Sequence, residues 1–403
     1  MNNDNTLIPN YRFPEFKNDG SWNKLKVEEI ITNESSSLSI NKLEFLDSGY
    51  KLFGADGLVG YIDSYKQEED YIGIVKDGSG AGRLSYYPSY SSVVGTLTYL
   101  KIKDKKLNDL KFQYYNLHNI DFKNHIKGGG IPHIYYSDYK NDFIGNPPSI
   151  TEQQKIAACL SSLDDMIAGH EEKLTLLEEH KKGLMQNLFP QEGETQPKYR
   201  FPEFENDGDW DVVPFSKYIT LFRGSSPRPI VDFQTTDEDA VNWIKIGDTK
   251  NAISYKLQYA EEKITHEGAK KSRPVVNGEI ILANSMSYGK AYILELDGCI
   301  YDGWFVLRNY EAFFDKNYLI QLLNSDYLQN QYKKLAAGGI VQNISSEIVY
   351  NTELFHTTKE EQQKIASVLS SVDELIIAQR EKIEALKEHK KGLMQGLFPK
   401  IES

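Results

Sequence analysis

Glu152 to Pro190 reads EQQKIAACLSSLDDMIAGHEEKLTLLEEHKKGLMQNLFP, and Glu361 to Pro399 reads EQQKIASVLSSVDELIIAQREKIEALKEHKKGLMQGLFP, with 25 of 39 positions identical. Stepping through the first copy by alternate fours and threes gives Ile156, Leu160, Leu163, Ile167, His170, Leu174, Leu177, Lys181, Leu184 and Leu188. The second copy gives Ile365, Leu369, Val372, Ile376, Gln379, Ile383, Leu386, Lys390, Leu393 and Leu397. Both series are aliphatic except at the same two places, which is a sustained heptad seam. Each copy therefore predicts one long helix, about 58 Å at 1.5 Å per residue. Thr151 is placed to cap the first, and Thr358 with Glu361 fits a capping box for the second. Phe189-Pro190 and Phe398-Pro399 end them. A helix with such a stripe needs a partner, so the two copies are expected to pair antiparallel, with His170 and Gln379 fixing register mid-seam.

A second, shorter repeat lies upstream. Tyr11 to Trp22 reads YRFPEFKNDGSW and Tyr199 to Trp210 reads YRFPEFENDGDW, 10 identities in 12. The short copies are offset by 188 and the long ones by 209, so the second intervening segment is 21 residues longer. The segments differ, apart from Gly129-Gly130-Ile131 and Ser137-Asp138, which align with Gly338-Gly339-Ile340 and Ser346-Glu347. The expected organisation is residues 1–150 as one globular domain and 151–190 as a spacer helix. A linker over 191–198, a second globular domain over 199–357 and a second spacer helix with the C-terminus over 358–403 complete it.

Both inserts carry short β-like runs broken by glycine, such as KLFGADGLVGYIDSY from Lys51 and NGEIILANSMSYGKAYILELDGCIYDGWFVLR from Asn277. Each is expected to be α+β around a twisted, mostly antiparallel sheet, with helices such as Tyr318 to Lys334. The fold class is thus α+β, with two heads separated by an antiparallel two-helix coiled coil and related by an internal pseudo-two-fold. Such symmetry suits two half-sites on a duplex about 34 Å apart.

Composition narrows the function. With 40% apolar and 26% charged residues the chain is an ordinary soluble one. Its start, MNNDNTLIPN, has no basic or apolar leader pattern, so a cytoplasmic location is expected. Cys159 and Cys299, the only cysteines, are expected as buried thiols in a reducing compartment rather than as metal ligands. A net charge of −12 opposes strong stand-alone nucleic-acid binding, because phosphates need local positive charge. Residues 1–150 carry 17 basic against 19 acidic side chains, and residues 199–350 carry 16 against 21, so neither head is basic overall.

Any DNA-contacting surface must therefore be a local patch. In the first head the candidates are Lys76 and Arg83 on a glycine loop, Tyr86, Lys101, Lys103, Lys105 and His133. In the second they are Arg223, Ser225, Ser226, Arg228, Lys245, Lys271, Arg273, Asn284, Ser285, Tyr288, Lys290, Gln342 and Asn343. Basic side chains suit phosphates, and Arg, Lys, Asn or Gln beside turns suit base edges. The Lys76–Arg83 loop lacks the Gly-Lys-Ser/Thr ending of a nucleotide-binding loop, so it reads as a hairpin turn or a DNA-facing loop. Asn146-Pro147-Pro148-Ser149 superficially matches a methyltransferase motif without its aromatic residue, and reads as a helix-entry turn. No catalytic constellation and no metal set emerges.

Together these residues resemble the specificity subunit of type I restriction–modification enzymes. The resemblance rests on the duplicated Glu-Gln-Gln-Lys-Ile-Ala helix starts followed by Leu-Ser-Ser-x-Asp. Gly224-Ser225-Ser226-Pro227, Trp243-Ile244-Lys245-Ile246-Gly247-Asp248 and Gly338 to Ser345 add to it. It implies two target-recognition domains reading a bipartite DNA sequence, and a non-catalytic chain that docks two methyltransferase and two restriction–translocation subunits. S-adenosylmethionine, ATP and Mg²⁺ would belong to those partners, and none to this chain. The rival readings are a single-chain DNA methyltransferase or nuclease, and a coiled-coil scaffold that reads no bases. The first head lacks the Gly-x-x-Pro and Trp-Ile-Lys-Ile-Gly-Asp elements of the second.

Overall fold

A computed structural model describes residues 7–285, 289–336 and 344–401. The chain folds as two compact units, Met1–Gly169 with Ile383–Ser403, and His170–Lys382. The long helices span Ile150–Leu188 and Lys359–Leu397, so each lends one half to each unit. Among the described residues, no helix is long and apolar enough to cross a membrane.

Within each unit the two helical halves run antiparallel, as the descending partners show. In the first, Leu160 clusters with Leu397, Lys390 Nζ meets Asp164 Oδ1 at 2.5 Å, and Leu163 and Ile167 pack on Leu386. In the second, Gln379 Nε2 donates to the His170 carbonyl at 2.7 Å and lies 2.8 Å from its Nδ1, while Lys181 Nζ reaches Asp373 at 2.8 and 2.9 Å. The polar breaks in both heptad series are thus partnered, and the two ion pairs exchange under the 209-residue repeat. The seam is unevenly covered: Leu160 and Leu369 are fully buried, whereas Leu174 and Leu177 are half-buried.

The helix starts differ in detail from expectation. The first helix begins at Ile150, so Thr151 lies inside the first turn with its hydroxyl 2.6 Å from that of Ser149, the residue before the helix. In the second, the Glu361 N–H donates to Thr358 Oγ1 at 3.3 Å as expected of a cap. The Glu361 carboxylate does not complete a capping box, because Arg200, Trp210 and Thr357 occupy it.

That carboxylate explains why the two repeats travel together. Arg12 donates through Nε and Nη2 to both oxygens of Glu152 at 2.7 Å, and Trp22 Nε1 adds a bond at 3.3 Å. Arg200 clasps Glu361 the same way at 2.8 Å, with Trp210 Nε1 at 3.1 Å. Each arginine also donates to the carbonyl of the turn glycine in its own repeat, Gly20 or Gly208, whose φ of 78° and 77° is glycine's territory. The next residues, Gln153 and Gln362, accept from the N–H of Asp109 and Asp315 and donate to two carbonyls each. Tyr11 N–H donates to the Gly396 carbonyl, and Tyr199 N–H to that of Asn187, tying each short repeat to a helix end.

The first unit carries β1 (Asn23–Lys26), β2 (Ile31–Ser35), β3 (Tyr50–Gly54), β4 (Gly57–Ile62), β5 (Tyr71–Val75), β6 (Leu84–Tyr87), β7 (Ser91–Val93), β8 (Leu97–Ile102) and β9 (Phe143–Asn146). They form an antiparallel β2-β8-β5-β6 sheet, a β4-β3-β7 sheet and a β1-β9 pair. The second unit carries β10 (Asp211–Pro214), β11 (Thr220–Arg223), β12 (Gln234–Thr235), β13 (Val241–Ile244), β14 (Lys256–Leu257) and β15 (Glu262–Ile264). It continues with β16 (Arg273–Val275), β17 (Ile280–Ala283), β18 (Ala291–Leu294), β19 (Gly298–Ile300), β20 (Trp304–Arg308) and β21 (Glu353–His356). Its sheets run β11-β20-β17-β18-β14 and β12-β15-β13-β19-β16, with β10 paired to β21. The pairing is mostly antiparallel, with β3·β7, β13·β19 and β14·β18 parallel. Each unit therefore holds two main sheets where one was expected.

The frame repeats and the sheets do not. β1 and β10, with the four-residue helices Val27–Ile30 and Phe215–Tyr218, sit 188 apart. Asp109 and Asp315, which cap the helices Leu110–Leu117 and Lys316–Asn324, sit 206 apart. Hence 18 of the 21 extra residues fall in the sheet region and 3 beyond the capped helix. The helix expected over Tyr318 to Lys334 is interrupted at Ser325, which adopts extended backbone and caps Asp326–Ala336 by accepting from the Leu328 N–H. Cys299 is buried on β19 as expected, but Cys159 is half-buried on its helix.

Candidate nucleic-acid interface

The second unit gathers its candidates around one turn. Asp302 sits between β19 and β20, and its backbone carbonyl accepts from Arg223 Nε at 3.2 Å and from Asn284 Nδ2 at 2.9 Å. Its carboxylate takes the Ser226 hydroxyl and faces Arg228 Nη2 at 3.9 Å. The Ser226 hydrogen bond, helped by Arg223 and Arg228, holds that carboxyl below its ordinary value. Gly224 makes the approach possible: a Cβ there would stand 1.9 Å from the Tyr301 carbonyl oxygen. The Arg273 guanidinium donates through Nε to the Arg223 carbonyl at 3.1 Å, and the Ser225 hydroxyl donates to the Lys271 carbonyl at 3.3 Å.

Facing this turn is a second acid-anchored cluster. Lys245 Nζ reaches Glu262 at 2.5 Å and Gln234 Nε2 donates to it at 2.7 Å, which keep this carboxyl low as well. Between the clusters lies a cleft of about 270 Å³ lined by Ser226, Arg228, Gln234, Lys245, Glu262 and Tyr301, among others. Arg228 and Lys245 are its cations, and Arg228 is the more accessible, with 83% of its side chain exposed.

The remaining candidates of this unit are placed elsewhere or serve as supports. Asn284 is 3% exposed, so its amide braces the turn rather than meeting solvent. Ser285 follows it, half-buried. Lys271 covers the Phe233 ring at 4.4 Å. Lys290 lines a different cleft, of about 480 Å³, with Lys181 and Asp326, and burial pushes its ammonium pKa down. Tyr288, Gln342 and Asn343, like the Gly338–Ile340 element, lie outside the described residues.

The first unit does not assemble its candidates into one patch. Lys76 to Arg83 form the loop between β5 and β6, braced where Gly78 N–H donates to the Pro132 carbonyl and Ile134 N–H to that of Lys76. Arg83 is exposed and pairs with Asp56 at 2.9 Å, and His133 lies 5.3 Å from the Tyr135 ring. Tyr86 is half-buried, its hydroxyl donating to Asp70 at 2.9 Å, and burial pushes the phenol up. Lys101 pairs with Glu34 at 3.0 Å, Lys105 with Glu69, and Lys103 donates to the Glu28 carbonyl. The cleft holding Lys66, Lys101 and Lys105, about 610 Å³, also presents Glu68, Glu69, Asp70 and Asp109, so carboxylates outnumber ammonium groups along its lining.

Sequence reading found Arg223, Ser226 and Arg228 but missed Asp302, Glu262, Gln234 and Tyr301. Their only local signal is the Asp302-Gly303 dipeptide, a turn marker. The chain thus carries one structural frame twice, each copy with unlike sheets. A family profile described as "Type I restriction modification DNA specificity domain" matches residues 12–179 and again 209–388. The chain belongs to this family and carries its domain twice. It is similar to the type I restriction enzyme MjaVIII specificity subunit of Methanocaldococcus jannaschii, 26% identical over 82% of this chain and 78% of that one. It also resembles the putative MjaX specificity subunit of the same organism, 23% identical over 92% and 86%. Its fold matches the crystal structure of the type I system S subunit from M. genitalium, with a TM-score of 0.66 at 15% identity over 98% and 100% of the chains. A chain from a study of type I complex assembly matches with a TM-score of 0.56 at 13% identity, over 93% and 97%.

Proposed function

We propose that this chain is the subunit through which a type I restriction–modification complex reads both halves of a gapped DNA target. Residues 1–150 and 199–357 are the reading heads, 191–198 the linker, and 151–190 with 358–403 the spacer and docking arms. The observation that carries this reading is the Arg-Trp-Glu clasp repeated at the start of each long helix, in units whose sheets are unlike. One frame used twice with different sheets is what two different half-sites require. The exchanged pairs Lys181–Asp373 and Lys390–Asp164 support an antiparallel, pseudo-two-fold spacer.

Two methyltransferase and two restriction–translocation subunits are the partners, working on double-stranded DNA in the cytoplasm. S-adenosylmethionine, ATP and Mg²⁺ act in those partners, and catalysis is theirs. Their surfaces supply the positive charge that a chain of net −12 lacks. The test is to map methylated motifs in cells carrying the partner subunits with and without this chain. A gapped motif that appears only with the chain supports the reading. An unchanged motif after its deletion, or methylation by the chain alone, overturns it.

A further inference from the structure

We propose that Asp302 is a positioning residue for base reading by the second head, holding the Arg223–Arg228 segment so that Arg228 presents its guanidinium to a guanine. The proposal rests on the DNA-reading role above. A carboxylate on a DNA-facing surface is repelled by phosphate, so its place at the centre of four candidate residues needs a reason. The geometry supplies one. The Asp302 backbone carbonyl is held from behind by Arg223 and Asn284, leaving the carboxylate to engage Ser226 and Arg228. Gly224 is wedged against the Tyr301 carbonyl, so the segment entering the loop has little freedom to shift.

Arg228 differs from the other cations nearby. Arg223 has its Nε committed to the Asp302 carbonyl, Arg273 to the Arg223 carbonyl, and Lys245 is tied to Glu262. Arg228 stands 3.9 Å from the carboxylate, oriented by its charge while its side chain stays 83% exposed. A planar fork drawn towards the carboxylate without being hydrogen-bonded to it keeps its donors free for the paired acceptors O6 and N7 of guanine, the commonest specific contact in a major groove.

Motif mapping with the partner subunits present tests this directly. Arg228→Ala and Asp302→Ala should relax the same single base pair in one half of the gapped motif, by roughly 10-fold to 100-fold in discrimination. The double variant should be no worse than Arg228→Ala. Arg228→Lys should keep methylation of the original site while losing the same discrimination, which guards against a folding defect in the alanine variants. Asp302→Asn, which retains an acceptor for Ser226 without the charge, should fall between wild type and alanine. An unchanged motif in Asp302→Ala overturns the proposal, as does relaxation at a different base pair from Arg228→Ala, which would mean that the carboxylate reads a cytosine amino group itself. Uniformly weaker methylation with an unaltered motif also overturns it and leaves Asp302 a purely structural residue. A chain that directs no gapped motif at all instead overturns the DNA-reading function.

Discussion

Glu152 and Glu361 are the residues on which both frames close. Their side chains are almost fully buried, as are those of Arg12 and Arg200, at 7% exposure. Replacing one partner of such a pair strands the other charge in a poor solvent, which typically costs 3–5 kcal/mol. Glu152→Ala should therefore lower the unfolding free energy by about 3 kcal/mol, with Arg12 and the Trp22 indole both losing their acceptor. Glu361→Ala should behave alike, and denaturant titration of each variant measures the loss. A change below about 0.5 kcal/mol would mean that water replaces the carboxylate freely. The residues of the clasp were legible as a repeat in the sequence, but their bond was not, since Arg12 and Glu152 lie 140 positions apart. Asp302 was hidden for a similar reason: its partners arrive from Arg223, Ser226 and Asn284, on separate strands and loops. Sequence spacing reports what one element places on its own face, not what three elements bring to one turn.

At the level of elements, the long helices were the most legible part of the chain because a seam repeats locally over ten successive positions. What the pattern could not weight was how well each position is covered. Leu160 is fully buried among Trp22, Phe112 and Tyr115, whereas Leu174 is only half-buried. Leu160→Ala should cost about 2–5 kcal/mol and Leu174→Ala clearly less, as thermal or denaturant melts would show. The Lys181–Asp373 pair permits a sharper test. Gln321 Nε2 also donates to Asp373, and Lys181 lies 4.7 Å over the Tyr255 ring, so the pair is joined to the insert as well as across the seam. Asp373→Ala alone should be strongly destabilising, about 3 kcal/mol, while Lys181→Met with Asp373→Leu should recover only part of it, because the buried Gln321 amide still loses its acceptor. A double-mutant cycle returning no coupling would show that the pair contributes nothing beyond its separate members. The inserts were less legible than the helices. Their glycine-punctuated runs marked strands, but pairing partners such as β11 and β20 come from stretches about 80 residues apart, so two sheets were read as one. The break at Ser325 was invisible because apolar periodicity continues through it.

Over the whole chain, acidity is the property most at odds with its proposed task, while the acid sensitivity of its stability rests first on two histidines. Among the described residues, His118 in the first unit and His356 in the second have imidazole pKa values below the ordinary 6.5, because the protein packed around each disfavours its charged form, His118 keeping one side open to solvent. In the first unit His118 packs on the Tyr114 ring at 4.8 Å with its Nδ1 2.8 Å from the Tyr114 carbonyl. In the second, His356 lies between Tyr218 and Phe314, and the Asp211 carboxylate at 3.9 Å only partly offsets the burial. Between each lowered value and 6.5 the unfolded chain binds more protons than the folded one. Stability is therefore complete above this window and falls as the pH drops through it. The lowered carboxyls of Asp302 and Glu262 act in the same direction but further down, since their contribution is lost only as the pH falls through their folded values. Melting midpoints should thus decline as the pH falls below about 7.5, before the carboxylates titrate. Replacing His118 and His356 together by Gln should flatten that decline, whatever it does to stability at neutral pH. A slope that survives the double replacement would assign the acid sensitivity to other groups.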